Sequence, residues 1–394
     1  MPRRLVLVAG EASGDLHGAA LVAALRAADP TLEFSGIGGP RMRQAGVALS
    51  DDLTRLALIG VVDVLRHFGT FRRVFYRILD HIDTWKPDAV ICIDYPGFNL
   101  RLAREVKRRR LPLIYYISPQ VWAWHQSRVR LIREVVDHLV VILPFEPDFY
   151  RPHGIRADFV GHPLLDLVRP TVTRETFLSG EGLSPTMKTI TLAPGSRVGE
   201  INRHLPLMLE AAARIARTHP GTQFLLPTLP TLPEAIYTQH LQRYRDLALR
   251  VVPGKMYDAL NAADLVLVAS GTATLETAIA ERPMIIVYKT SFWTWLPARL
   301  VVRLPYIGLV NVVAGKQVVP ELIQFDATPE RLAREALAIL DDPKRQEQMR
   351  QELRQVKAKL GEPGAAARAA RSILHYLDLR FTRTTHAEWA LEQR

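Results

Sequence analysis

What this chain has little of narrows the reading first. One cysteine, Cys92, stands in 394 residues, so no internal disulfide can form and a reducing compartment is expected. No run of about 18 uncharged apolar residues occurs, so no transmembrane helix is expected. Met1-Pro-Arg-Arg-Leu-Val-Leu-Val-Ala9 has the outline of a signal peptide, but Glu11 and Asp15 arrive too soon, and a cytoplasmic first strand is the better reading. H-E-x-x-H, paired-cysteine spacings and D-x-D are all missing, so no metal is expected. The G-x-G-x-x-G fingerprint is also absent, which leaves a dinucleotide without support. Short-period repeats and low-complexity segments are lacking as well.

Acidic charge is the other shortage. Lys and Arg number 51 against 40 Asp and Glu, a formal net charge of +11. That balance points to an anionic partner: nucleic acid, a phosphorylated small molecule or an acidic membrane surface. The positive charge is spread along the chain rather than gathered in a tail, so nucleic acid is not the expected partner. With 48% hydrophobic residues, the chain is long enough for two domains with full cores.

What is present is organised around Asp264-Leu-Val-Leu-Val-Ala-Ser-Gly-Thr-Ala-Thr-Leu-Glu276. Leu265 to Ala269 reads as a strand buried on both faces. Ser270, Gly271 and Thr272 form a tight turn into a helix that runs through Thr274, Glu276 and Ala278 to Ala280. Such a turn aims backbone N–H groups and a positive dipole end beyond the strand, where a phosphate fits. Glu276, one turn in, could take two ribose hydroxyls. The plainer reading makes Ser270 or Thr272 a helix cap and Glu276 a favourable first-turn acid.

The same pattern recurs twice. Leu5 to Ala9 leads into Gly10-Glu-Ala-Ser-Gly-Asp15, where Ser13, Gly14 and Asp15 offer close approach and polar contacts or simply start a helix. Thr189 to Ala193 leads into Pro194-Gly-Ser-Arg197; Gly195 and Ser196 offer N–H groups, and Arg197 adds a cation suited to a diphosphate. Asp88 to Asp94 is a buried strand that delivers the Asp94 carboxylate at its C-terminal end, where ligands of open α/β sheets bind. Asp94 there is a helix cap or a general base. Beyond Leu113 to Ile117 come Trp122, Trp124 and His125, suited to stacking on a sugar or to packing between domains. Further strands are expected at Phe34 to Gly39, Val140 to Leu143, Ala157 to Val160, Phe224 to Leu226, Leu249 to Val252 and Met284 to Val287. Pro253-Gly-Lys-Met-Tyr257 sits where a base-binding loop could be. Pro170 to Lys188, polar and turn-rich, reads as a linker.

Two stretches mix arginine with apolar groups. In Leu56 to Trp85, Phe71 and Phe75 alternate with Arg66, Arg72 and Arg73. This is either a surface for anionic lipid or acyl chains or, on spacing alone, a core helix pair with a solvated basic face. Thr290 to Pro305 is a second such stretch.

Gly10-Glu-Ala-Ser-Gly-Asp15, Ile93-Asp94 with Pro96 and Phe98-Asn99, Ser118-Pro-Gln-Val-Trp-Ala-Trp124, Gly161-His162, Pro194-Gly-Ser-Arg197 and Ser270-Gly-Thr-Ala-Thr-Leu-Glu276 together resemble the lipid-A-disaccharide synthases. Asn311 and Ala314-Gly315 fit as well. The matches run in order over nearly the whole chain. The resemblance implies an α/β fold of the GT-B type, two Rossmann-like domains facing across a cleft. Residues 1–168, joined by a C-terminal helix at 365–394, would form the acceptor and lipid side, and residues 169–364 the UDP-sugar side.

The implied reaction is an inverting transfer, without metal or cofactor, from UDP-2,3-diacylglucosamine to 2,3-diacylglucosamine 1-phosphate. Asp94 would take the proton of the acceptor hydroxyl. Arg197, with Ser13, Gly14, Gly195, Ser196, Ser270, Gly271, Thr272, Ala273, Glu276 and Asn311, would serve the donor. Trp122, Trp124, His125, Arg66, Arg72, Arg73, Phe71 and Phe75 would face acceptor and lipid, at the inner surface of the cytoplasmic membrane. Some members of the family have an acidic residue where this chain has Gly97, so a second carboxylate is expected to be missing. The oligomeric state, a homodimer included, stays open. Two rival readings remain: another GT-B enzyme such as a UDP-N-acetylglucosamine 2-epimerase, and a non-catalytic membrane-binding UDP-sugar protein.

Overall fold

Runs of β-branched and aliphatic residues bounded by glycine turns become strands wherever both faces can be covered. The computed structural model describes residues 2–53, 68–123, 126–291, 295 and 305–392. Seven such runs form one sheet: β1 Arg4–Ala9, β2 Glu33–Ile37, β3 Ala48–Asp51, β4 Ala89–Ile93, β5 Leu113–Tyr116, β6 His138–Val141 and β7 Ala157–Phe159. Six form another: β8 Lys188–Ala193, β9 Thr222–Thr228, β10 Leu249–Pro253, β11 Leu265–Ala269, β12 Met284–Tyr288 and β13 Glu321–Ile323. The orders are β3-β2-β1-β4-β5-β6-β7 and β10-β9-β8-β11-β12-β13. Every pairing is parallel. The two halves are thus Rossmann-like, as expected. Each reverses its winding once, between β1 and β4 and between β8 and β11. Ligands of such sheets bind beyond the strand ends at that reversal.

Two strands escape the sequence pattern. β3 is half-exposed along its length and β13 has three residues, so neither shows a buried apolar run. Pro170 to Lys188 also differs from the expected linker. It holds the helix Arg174–Gly180, capped by the Thr173 side chain, with Phe177 and Leu178 buried against Leu225, Val252 and Ala259.

The chain divides into one compact unit of Met1–Pro163 with Gly361–Arg394 and a second of Leu164–Leu360. The closing helix Ala365–Glu392 rejoins the first unit because its small face, Ala369 and Ala370 with Ile373 and Leu377, packs against Leu21, Val22 and Leu25. Polar ties fix its register. Ser372 Oγ donates to Asp158 at 2.8 Å and meets the His138 ring at 2.8 Å, and that ring stacks on Tyr376.

The helix Phe68–Trp85 turns Val74, Ile78, Leu79 and Ile82 into the first core, with Phe71 and Phe75 packed partly against it. Arg72 and Arg73 are exposed on its outer face. Phe71 and Phe75 are therefore core-facing side chains in large part, and the basic face is the outer one. Arg66 lies outside the described residues, as does nearly all of the Thr290 to Pro305 stretch.

Candidate active site

At the first reversal, Ala9 of β1 stands in register with Ile93 of β4. The next residues of each strand are Gly10-Glu11 and Asp94, so topology brings two carboxylates to one sheet end. Gly10 is needed there because a Cβ would lie 2.1 Å from the Tyr95 ring. Asp94 and Tyr95 both take left-handed backbone, φ 46° and 50°. Neither is glycine, and each such residue costs roughly 1–2 kcal/mol. The strain is held by the Asp94 carbonyl, which accepts from Tyr115 Oη at 2.6 Å and from Asn99 Nδ2 at 2.7 Å.

The Asp94 carboxyl is pushed up to about 6, first by burial and then by the neighbouring charge of Glu11, against a bond from the Tyr95 N–H. Above that value it is ionised and basic enough to accept a hydroxyl proton at neutral pH. Glu11 is what sequence reasoning missed. The expected absence of a second carboxylate followed from Gly97, where a Cβ would meet nothing within 4 Å. The second acid comes instead from the turn after β1, a neighbour that only strand order reveals.

Other residues of this unit are committed elsewhere. Asp15 is buried and caps the helix Pro40–Gln44, accepting from the N–H groups of Gly39 at 2.7 Å, Met42 at 2.9 Å and Arg41 at 3.0 Å. Ser13 is exposed, whereas Gly14 is buried beside Ala9. His17 and His162 are both held neutral, near 4 and near 3, by burial, and His17 further lowers His162.

Trp122 is not a surface group. It is 6% exposed, edge-on to Phe145 with ring centres 5.0 Å apart. Its neighbour Glu146 is buried and accepts from Ser118 Oγ at 2.7 Å and Leu143 N–H at 2.9 Å. Burial lifts this carboxyl to about 7, and those bonds, with the nearby Trp122 indole, offset part of the rise. The indole N–H itself makes no hydrogen bond among the described residues. Trp124 and His125 lie outside the described residues.

At the second reversal, Ala193 of β8 pairs with Val268 of β11. Beyond β8, Gly195 sits at φ 120°, where a Cβ would come 2.5 Å from the Glu200 carboxylate. That carboxylate accepts from Ser196 N–H at 2.9 Å and Arg197 N–H at 3.3 Å, capping the helix Val198–Thr218. The Ser196 N–H group is therefore taken by the chain itself. The Arg197 guanidinium, 73% exposed, stands 3.5 Å from Glu200 and projects a cation at the strand end. His204 anchors the turn. Its Nδ1–H donates to Pro194 O at 2.9 Å and its Nε2 accepts from Lys289 N–H at 3.0 Å, the neutral form that burial favours.

Beyond β11, Gly271 takes φ 150° and the helix Ala273–Ile279 follows. In that turn the Ser270 N–H reaches Val287 O at 3.1 Å, and the next backbone bond belongs to the Thr274 N–H, which reaches Gly271 O at 3.1 Å. The N–H groups of Gly271, Thr272 and Ala273 come before it. Ser270 Oγ donates to Ile307 O at 3.1 Å, so its proton is already used. Glu276 is half-buried, its carboxyl raised by burial against the bond from Tyr257 Oη at 3.4 Å. Tyr257 lies in the helix Met256–Ala262 rather than in the loop expected at Pro253 to Tyr257, and is thus brought to Glu276. Nothing in its sequence neighbourhood announces that pairing.

Asn311 departs most clearly from its expected place on the donor. It is fully buried; Nδ2 donates to Val319 O and Glu321 Oε1 at 2.9 and 2.8 Å, and Oδ1 accepts from Val318 and Val319 N–H. From the helix Leu309–Ala314, all four of its side-chain hydrogen-bonding valences are spent on Val318, Val319 and Glu321. Glu321 joins this network, accepting from Ile307 N–H at 3.0 Å and Gly308 N–H at 2.9 Å. Asn311 and Glu321 shape the segment that Ser270 touches, and Asn311 itself has no group left for a ligand.

Known proteins agree with this architecture. A family profile described as lipid-A-disaccharide synthetase matches residues 5–373. The lipid-A-disaccharide synthase of Syntrophus aciditrophicus is 48% identical over 371 residues, covering 94% of this chain and 97% of that one. That of Geobacter sulfurreducens is 45% identical over 374 residues, covering 95% and 97%. Among solved structures, the UDP-GlcNAc 2-epimerase of Neisseria meningitidis, bound to UDP-GlcNAc, superposes with a TM-score of 0.63 at 11% identity, covering 96% of this chain and 99% of that one. The calicheamicin glycosyltransferase CalG4 gives 0.60 at 16%, covering 96% and 98%. Those two share the GT-B fold and not the sequence. With sequence matches running almost end to end, the chain belongs to the lipid-A-disaccharide synthase family.

Proposed function

We propose that the protein transfers 2,3-diacylglucosamine from UDP-2,3-diacylglucosamine to 2,3-diacylglucosamine 1-phosphate. The products are a β-1,6-linked disaccharide 1-phosphate and UDP. Asp94 accepts the proton of the acceptor 6-hydroxyl while that oxygen bonds to the donor C1. The C1–O bond to UDP breaks on the opposite face, inverting the centre, and its electron pair leaves with the diphosphate. Arg197 and the N–H groups at Gly271 to Ala273 offset the charge that develops there. Glu276 and Tyr257 hold the ribose. In this reading the cations come from the protein, so the transfer needs no metal. The first unit handles the acceptor and the second the donor.

The observation that carries this reading is Asp94, a clamped carboxyl lifted to about 6 at the strand end of a family member. Among the described residues no helix is long and apolar enough to cross a membrane. Acylated substrates reside in bilayers, so the protein works peripherally on the cytoplasmic face. Arg72, Arg73 and the 56%-exposed Tyr76 beside them offer one contact with anionic headgroups. UDP release in detergent, with both substrates and EDTA, tests the proposal. Release that requires both substrates, with a disaccharide monophosphate seen by mass, is the expected result. Release from the donor alone would indicate hydrolysis or epimerase-like chemistry, and loss of release with EDTA would remove metal independence.

A further inference from the structure

The Asp94–Tyr95 peptide is the most constrained backbone at either strand reversal, and its restraints come from residues with no role in the proposed chemistry. Two adjacent non-glycine residues at φ 46° and 50° do not persist unless their surroundings over-determine them. A tyrosine in the left-handed region is an outlier even by itself. The restraint has two buried sources. Tyr115, on the neighbouring β5, donates its hydroxyl to Asp94 O at 2.6 Å and is fully buried. Asn99, one turn into the helix Pro96–Arg108 and also fully buried, turns Nδ2 toward Val8 O at 3.3 Å, Ile93 O at 3.2 Å and Asp94 O at 2.7 Å.

The Asn99 amide gathers the carbonyl ends of β1 and β4 at the point where they diverge. Its Oδ1, meanwhile, has no hydrogen-bond partner among the described residues. An asparagine that leaves its oxygen unpaired in order to direct its nitrogen at backbone carbonyls is there as a donor. From the other side the Tyr95 ring rests on Gly10, with no room for a Cβ.

We propose that Tyr115 and Asn99 are positioning residues for the transfer, holding the strained Asp94–Tyr95 peptide so that the Asp94 carboxyl meets the acceptor hydroxyl. This rests on the reading of Asp94 as the base. Released from its two donors, the Asp94 carbonyl would swing as φ relaxes to negative values, and the carboxyl would turn with it. A catalytic group misplaced by about 1 Å can cost about a hundredfold in rate.

The test is Tyr115→Phe, which keeps the ring and removes the hydroxyl. Turnover should fall by about tenfold to a hundredfold, with KM for both substrates and the UDP affinity within about twofold of the parent. The acid limb of the kcat profile should also shift, which a purely structural role would not produce. Placed on Asp94→Asn, the same change should cost nothing further. A lower melting temperature with unchanged kcat and pH profile would overturn the proposal. If Tyr115→Phe does not fold, Gly10→Ala displaces the Tyr95 ring from the opposite side and should show the same kcat loss at unchanged UDP affinity; unchanged kcat there would overturn it equally. The base reading fails separately. Full turnover by Asp94→Asn removes it, whereas an inactive Asp94→Asn beside a fully active Tyr115→Phe removes only the clamp.

Discussion

The two strand reversals share a topology and differ in charge. At the first, the strand ends collect Asp94 and Glu11, and burial, then the Glu11 charge, holds the Asp94 carboxyl up to about 6. At the second, the corresponding turns present Arg197, mostly exposed, and a run of N–H groups ahead of a helix. Glu200, the acid beside Arg197, is used as a helix cap. Under the proposed function the first strand end would accept a proton and the second would receive an anion, a difference set by a few side chains on one scaffold.

Removing the charge from each end should break this comparison in different ways. Asp94→Asn is expected to fold, to bind UDP as the parent does and to lose about 10²–10⁴ in turnover, the usual scale of a general base. Calorimetry with UDP and a single-turnover assay separate the two effects. Arg197→Ala should act on the other side, weakening UDP binding and slowing turnover together by roughly 10- to 100-fold, the scale of one charge-assisted hydrogen bond. Unchanged kinetics would take Arg197 out of the site.

Asn311→Ala should break neither half of the chemistry. It leaves Val318 and Val319 N–H groups and the Glu321 carboxylate short of a partner, at about 1–3 kcal/mol each for a buried orphan. Denaturant midpoints should drop, while UDP affinity of the folded fraction stays put. Lost UDP affinity in a protein of normal stability would return Asn311 to the donor site.

A smaller effect concerns pH and stability. Glu146 titrates near 7 when folded and in the ordinary carboxylate range when unfolded, so the folded state holds the extra proton between about 4.5 and 7. Its stabilising share is complete below that window and is lost as pH rises through it. Relative to the parent, Glu146→Gln should raise the melting temperature more at pH 8 than at pH 5.

The sequence showed some of this and concealed the rest for physical reasons. Buried parallel strands such as Leu265–Ala269 announce themselves as unbroken apolar runs, and glycine-containing turns mark their ends. Those two signals were enough for two Rossmann-like halves and for Asp94, Arg197 and Glu276 at strand ends. β3 and β13 were missed because short or half-exposed edge strands carry no such run. Glu11 was in view but lacked a role, because its link to Asp94 depends on β1 lying beside β4, some 80 residues on. Asn311 and Trp122 misled in the opposite direction. A polar or aromatic residue just past a strand or in a family-like motif looks like a ligand contact, and only burial and bond partners show that Asn311 is spent on Val318 to Glu321 and that Trp122 packs on Phe145.

The most direct test is the pH dependence of kcat/KM between pH 4.5 and 8 for the parent and for Glu11→Gln. The parent should show an acid limb near 6. Removing the Glu11 charge takes away one of the two influences that raise Asp94, so the limb should move to lower pH while UDP affinity holds. A parent profile flat from pH 5 to 7, or a limb that Glu11→Gln leaves in place, would contradict the assignment of Asp94 as the base tuned by its neighbour across the strand ends.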